Sequence, residues 1–187
     1  LSDAEMCMMF SDAIESTGIE RGDYVIRLNN RKILDGVIDS LAISGNKPGS
    51  DINIAIMRSI DKLDRLGLDG VKQLLGDGRK DESGDYTKGA GLDGSSIKEI
   101  LLFLEYGIDS KGLSRKKSLE NLSNQFGSNA IFSEAIEELD KISSIADVAE
   151  YDEKRIIIDP SVVRGLGYYT GPVYEADLTF NIETDDS

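Results

Sequence analysis

The chain has no histidine and a single cysteine, with only three prolines among its 187 residues. Without histidine there can be no serine–histidine or cysteine–histidine nucleophilic pair, no histidine general base and none of the common zinc sites. Any chemistry must run on other groups. Cys7 has no partner for an internal disulfide, and its setting in EMCMMF predicts a small apolar core residue rather than a nucleophile, which points to a cytoplasmic protein. No run approaches the roughly 20 apolar residues of a membrane span, and the opening residues form an acidic helical pattern instead of a signal peptide. Basic charge is also scarce: 21 Lys and Arg stand against 35 Asp and Glu, a formal charge of -14. Such a surface repels nucleic acid, so any polyanion contact must be local.

The 40% apolar content suffices for one sizeable domain or two small ones. Beginning at Leu1, already inside a helical pattern, the chain reads as a piece of something longer. Met6, Met9, Phe10, Ala13 and Ile14 predict an amphipathic helix over 3–16, ended at Gly18; Tyr24 to Leu28 reads as a strand; Ile33, Leu34, Val37, Ile38 and Leu41 predict a second helix. Breakers at 44–50 mark a boundary near residue 45. Helices follow for about a hundred positions: a stripe from Ile56 to Leu66 closed by Gly67, a capping box at Ser96–Glu99, and stripes through Leu119 to Phe126 and Ile131 to Val148. Between them, residues 74–94 are expected to form an irregular, mobile loop. Its Asp77, Asp81, Glu82 and Asp85 lack the D-x-D-x-D-G spacing of a calcium loop, so no metal is assigned. Residues 155–159 and 171–180 return to strand composition. The expected fold is α+β: antiparallel-sheet pieces at 1–44 and 153–187 flanking a mostly helical insertion at 45–152.

Within the last piece, VVRGLGYYTGPVYEADL (162–178) sets Arg164 against glycines and paired tyrosines. A barrel corner or β-bulge would explain the glycines alone. A guanidinium beside open backbone also suits bidentate contact with phosphate or carboxylate, and a tyrosine hydroxyl can orient a polar ring. On a strand, Tyr168 and Tyr169 would face opposite ways, one into a pocket and one into packing. Separately, Ser114-Arg115-Lys116-Lys117-Ser118 is a local basic cluster, either a polyanion contact or a solvated helix start.

RGLGYYTGPVYE resembles the histidine-binding signature of histidyl-tRNA synthetases, usually R-G-L-D-Y-Y followed by a strand ending in F-E. SDAEMCMM and DYVIRLNNRKILDGVI resemble the helix, strand and helix after the second class II motif of that family, and GRKDESGDYTKGAG resembles a feature of one bacterial branch. The resemblance implies class II catalytic-core pieces around an insertion domain, and activation of histidine by ATP followed by transfer to histidine tRNA. It implies that Arg164 supplies positive charge at the α-phosphate, Tyr169 hydrogen-bonds the substrate imidazole, Tyr168 lines the pocket, and Gly165 and Gly167 keep its floor open. Gly167 stands where many members have aspartate, so no role of that carboxylate carries over. Arg115, Lys116 and Lys117 would touch the tRNA acceptor stem. Magnesium would accompany ATP on ligands outside this segment, and the complete enzyme would be a cytoplasmic homodimer. The first, second and third class II motifs and the anticodon-binding domain have no counterpart here, so the isolated segment is expected to be inactive. Two other readings remain open: the histidine-sensing regulatory subunit of ATP phosphoribosyltransferase, and an acidic helical interaction domain without catalysis.

Overall fold

The computed structural model describes residues 1–43, 45–47, 49–109, 112–127, 129–163 and 169–180. Its elements run α1 (Ser2–Ser16), β1 (Tyr24–Asn30), α2 (Arg31–Ser40), α3 (Asp51–Ile60), α4 (Leu63–Leu75), β2 (Gly78–Lys80) and β3 (Tyr86–Lys88). Then come α5 (Gly94–Asp109), α6 (Arg115–Phe126), α7 (Ala130–Val148), β4 (Ile156–Ile158) and β5 (Pro172–Leu178). The fold is mixed α and β with small sheets.

Alternation along β1 decides how the main sheet is used. Tyr24, Ile26 and Leu28 are wholly buried on one face, while Val25, Arg27 and Asn29 project from the other. The buried face meets Cys7 of α1 and Ala146 of α7, together with Ile156 of β4. Strand order is β4-β1-β5, with β5 antiparallel to β1 from Tyr24↔Leu178 to Asn30↔Pro172, but with β4 parallel to it from Ile26↔Ile156 to Leu28↔Ile158. The sheet is therefore mixed rather than antiparallel throughout. After β1 the chain passes through α2 to α7, with the β2–β3 hairpin between α4 and α5, before re-entering beside it in the same direction, the long crossover that a parallel pair requires.

The larger core is continuous across positions 45 and 152: Leu28, Ile33 and Leu34 belong to one buried cluster with Ile60, Phe103, Leu122 and Phe132. Helices α2 and α7 cross closely at Gly36, where a Cβ would lie 2.8 Å from Phe132 Cβ and 2.9 Å from its backbone nitrogen. Lys32 Nζ adds contacts to Glu134 at 2.8 Å and Glu138 at 2.7 Å, and Asn129 Nδ2 donates to the Gly36 carbonyl at 2.6 Å.

Four expectations need correction. Helix α1 buries Ala4, Cys7 and Ser11, while Met6 and Met9 are 56% and 61% exposed and Phe10 and Ala13 also face outward. The face with Ser11 turns inward because it has polar partners there. Arg155 Nε donates to Ser11 Oγ at 3.0 Å, Ser11 meets the Tyr24 hydroxyl at 2.5 Å, and that hydroxyl donates to Glu15 at 2.8 Å. Cys7 is buried as expected, and burial, only partly opposed by the Arg115 charge, pushes its thiol up to about 12. The stripe from Ile56 to Leu66 is not one helix, since α3 ends at Ile60; Gly67, at φ 63°, ψ -178°, does break the helical path, within α4. Helix α5 is capped by Asp93, whose carboxylate accepts from the Ser95 and Ser96 amides at 2.9 Å each, not by a box at Ser96. Finally, residues 74–94 are not an irregular loop, since β2 and β3 pair there as a hairpin.

Candidate functional site

Of the residues singled out in the sequence, Arg164, Gly165, Gly167 and Tyr168 lie outside the described residues. What the structure shows is the frame on either side of them. On the entry side, the Asp159 amide donates to Leu28 O at 2.9 Å, and Asn29 Nδ2 donates to the carbonyls of Pro160 and Val162 at 3.2 and 2.9 Å. On the exit side, the Arg31 amide donates to Gly171 O at 2.9 Å and Pro172 pairs with Asn30. Both flanks of the motif are thus pinned to the C-terminal end of β1. Tyr169 is in no strand and is 48% exposed, so the alternating-face expectation for the tyrosine pair does not apply to it.

The second face of the sheet, beside that frame, carries an ionic network that the sequence reading did not single out. Arg27 on β1 reaches Asp159 at 2.8 Å, Asp177 at 2.9 Å and Glu175 at 3.5 Å, and donates to Ser161 Oγ at 2.8 Å. Burial would lower the Arg27 pKa, but these carboxylates, Asp159 foremost, raise it, so the guanidinium stays charged. Asp159 in turn accepts from the Ser161 amide and hydroxyl at 2.9 and 2.6 Å, which shapes the turn leading into the motif. Asn29 Oδ1 is buried at the base of this turn and has no hydrogen-bond partner among the described residues. The available signal was alternation: Arg27 with Asn29 on one strand and Glu175 with Asp177 on its partner share one face.

The basic cluster at 115–117 separates in the structure. Arg115 is 1% exposed and fully engaged internally: Nη1 donates to Ile156 O at 2.7 Å, Nε to Ser143 Oγ at 3.2 Å, and Nη2 pairs with Asp147. It therefore corrects the expectation of a surface contact with RNA. Lys116 and Lys117 are exposed, but Lys117 lies 3.5 Å from Glu120, and Lys116 borders a groove shared with Glu120, Glu137 and Asp140. Among the described residues, no three His, Cys, Asp or Glu side chains are gathered to hold a metal ion, and no helix is long and apolar enough to cross a membrane.

A small mixed sheet packed by helices on one face, with an ionic network on the other and both flanks of the motif pinned to its central strand, defines a mixed α and β domain. The chain belongs to the histidyl-tRNA synthetase family, whose family model matches residues 1–177. It is 48% identical over 201 residues to a histidine–tRNA ligase of Roseobacter denitrificans, covering 98% of this chain and 38% of that protein. A histidine–tRNA ligase of a Jannaschia species is 50% identical over 186 residues, covering 98% and 35%. The chain thus spans little more than a third of the length of these relatives. In three dimensions it is similar to a crystal structure of histidyl-tRNA synthetase from Nostoc sp. PCC 7120, with TM-score 0.72, 29% identity, and coverage of 95% of this chain and 36% of that one. A structure from Bacillus halodurans described as an ATP phosphoribosyltransferase regulatory subunit/histidyl-tRNA synthetase shares the fold, at TM-score 0.62 and 13% identity.

Proposed function

We propose that this chain is part of the catalytic region of an enzyme that activates histidine with ATP and joins it to histidine tRNA. The observation that carries the reading is 48–50% identity, across 98% of the chain, to proteins named histidine–tRNA ligase. Residues 1–44 and 153–187 are then pieces of the catalytic core, and 45–152 the insertion domain. Against the regulatory-subunit reading, the likeness to the Bacillus halodurans structure rests on 13% identity and extends to the fold alone.

In the first step a histidine carboxylate oxygen attacks the α-phosphorus of ATP, forming the adenylate as pyrophosphate leaves. In the second, a tRNA ribose hydroxyl attacks the adenylate carbonyl and AMP leaves. A carboxylate is already a nucleophile, so the first step needs no general base and the lack of histidine is no obstacle. Its demand is positive charge at the crowded phosphate, which Arg164 supplies. Tyr169 orients the imidazole, Tyr168 lines its pocket, and Gly165 and Gly167 leave room for substrate. Anchoring at Asn29, Arg27 and Arg31 supports this reading, because a guanidinium acts on a transition state only from a held position. Magnesium accompanies ATP in this reading. Its ligands are read as lying outside this segment. Lys116 and Lys117 remain candidate tRNA contacts, and the complete enzyme is read as a cytoplasmic homodimer.

Histidine-dependent exchange of labelled pyrophosphate into ATP by the full-length protein tests the proposal. Exchange is expected, and Arg164→Ala should lower it on the order of 10²–10³-fold while histidine binding falls far less. No exchange, with histidine still bound, would move the protein to the sensor reading.

A further inference from the structure

The β2–β3 hairpin presents an oriented aromatic ring between two lysines. Its register pairs Lys80 with Tyr86 and Gly78 with Lys88, so these four share one face and Arg79 and Thr87 the other. Tyr86 is 59% exposed, yet it is held: its hydroxyl donates to Asp77 O at 2.5 Å and lies 2.9 Å from where a Gly78 Cβ would stand. The ring therefore lies back across a residue with no side chain. Lys80 and Lys88 are both exposed.

The hairpin is rooted to the end of α4. Gly89 N donates to Asp77 O at 3.1 Å, Ala90 N to Leu74 O at 2.8 Å, Gly91 N to Gly76 O at 2.9 Å and Leu92 N to Leu75 O at 3.0 Å. At its turn, the Asp81 carboxylate is occupied by the Ser83 amide and hydroxyl at 3.0 and 2.6 Å and by the Asp85 amide at 2.9 Å. Glu82 and Asp85 remain exposed at the tip. At the foot an open groove of about 420 Å³, lined by Asp69, Lys72, Gln73, Asp77 and Gly78 among others, adjoins the same strand.

We propose that this face binds an unpaired nucleotide of RNA, with the base stacked on Tyr86 and its flanking phosphates paired with Lys80 and Lys88. Every base offers a π face to an aromatic platform, and adjacent lysines supply the backbone contacts. Lys80 and Lys88 are exposed, while Arg115 is buried and Lys117 lies 3.5 Å from Glu120, which makes the hairpin the better site. This deepens the tRNA-charging reading and rests on it.

The test uses the full-length protein and a histidine tRNA transcript, with Kd measured from low to moderate salt alongside pyrophosphate exchange. Tyr86→Ala should weaken binding about tenfold, the loss of one stacked base, while Tyr86→Phe, which keeps the ring, binds within about twofold of the parent. The double variant Lys80→Ala/Lys88→Ala touches only exposed side chains. It should weaken binding and reduce the slope of log K against log salt by about 1.4, two single-strand phosphate contacts. Exchange should be unchanged in all three. If the lysine variant binds with the parent's affinity and slope, the proposal is overturned, whatever becomes of Tyr86→Ala. Failure of the unaltered protein to bind RNA at all overturns it too, as does capture of an acidic protein instead. If the unaltered protein shows no histidine-dependent exchange, the enzymatic reading falls separately, and RNA affinity still judges the hairpin.

Discussion

Replacing Arg115 with methionine separates the two roles that a basic residue at this position could have. Methionine keeps most of the apolar stem, so the change removes chiefly the guanidinium and its three partners. Of these, Asp147 is 62% exposed and stays hydrated, so that ion pair contributes below about 1 kcal/mol. The Ile156 carbonyl belongs to a buried residue, and stranding such an acceptor costs about 1–3 kcal/mol. The Ser143 hydroxyl loses its contact as well. The sum is about 2–4 kcal/mol, and each kcal/mol lowers Tm by about 2–4 °C for a cooperative unit of this size. Thermal melting of the full-length protein should therefore show a clear drop for Arg115→Met, whereas Lys116→Ala and Lys117→Ala stay within about 0.5 kcal/mol of the parent. An Arg115→Met protein that melts like the parent but binds tRNA more weakly would refute the internal role.

Gly36→Ala should destabilise by about 1–3 kcal/mol, because the new methyl meets the α7 backbone at Phe132; a mid-helix Gly→Ala change that raised Tm would show that the α2–α7 crossing is loose. Arg27→Met leaves Asp159, 3% exposed, without its counter-ion and should cost about 3 kcal/mol in urea unfolding, together with reduced exchange activity, since Asp159 shapes the entry to the motif. An unchanged urea midpoint would refute that assignment. For Glu138, burial pushes the carboxyl up but hydrogen bonds from Lys32 and Asn30 outweigh it and leave the pKa lowered. A group depressed in the folded state stabilises fully above its unfolded value, about 4.3 for glutamate, and loses that contribution as pH falls through the folded value. Glu138→Gln should accordingly lower stability by at most about 1 kcal/mol near neutrality and narrow that gap below about pH 4; a gap unchanged from pH 8 to pH 3 would contradict the pairing.

The helices α2 and α7 and the strands β1, β4 and β5 were legible in the sequence, because their apolar periods and breakers agree with their final environments. The glycine-flanked Arg164 motif was visible there as residue types and spacing alone. The hairpin at 78–88 was missed because its strands are three residues each, too short to show an apolar alternation, so their pairing rests on glycines at the foot and a turn held by Asp81. The inward face of α1 was misjudged because Ser11 is polar by composition and becomes interior only when Tyr24 and Arg155 arrive from elsewhere in the chain. Arg115 and Arg27 follow the same rule. By itself the sequence determined most of the helices, the strands of the main sheet and the absence of histidine from this chain. Tertiary structure alone decided which charges are spent inside the fold and which face outward, because a charge is buried only where partners distant in sequence converge to offset its lost hydration.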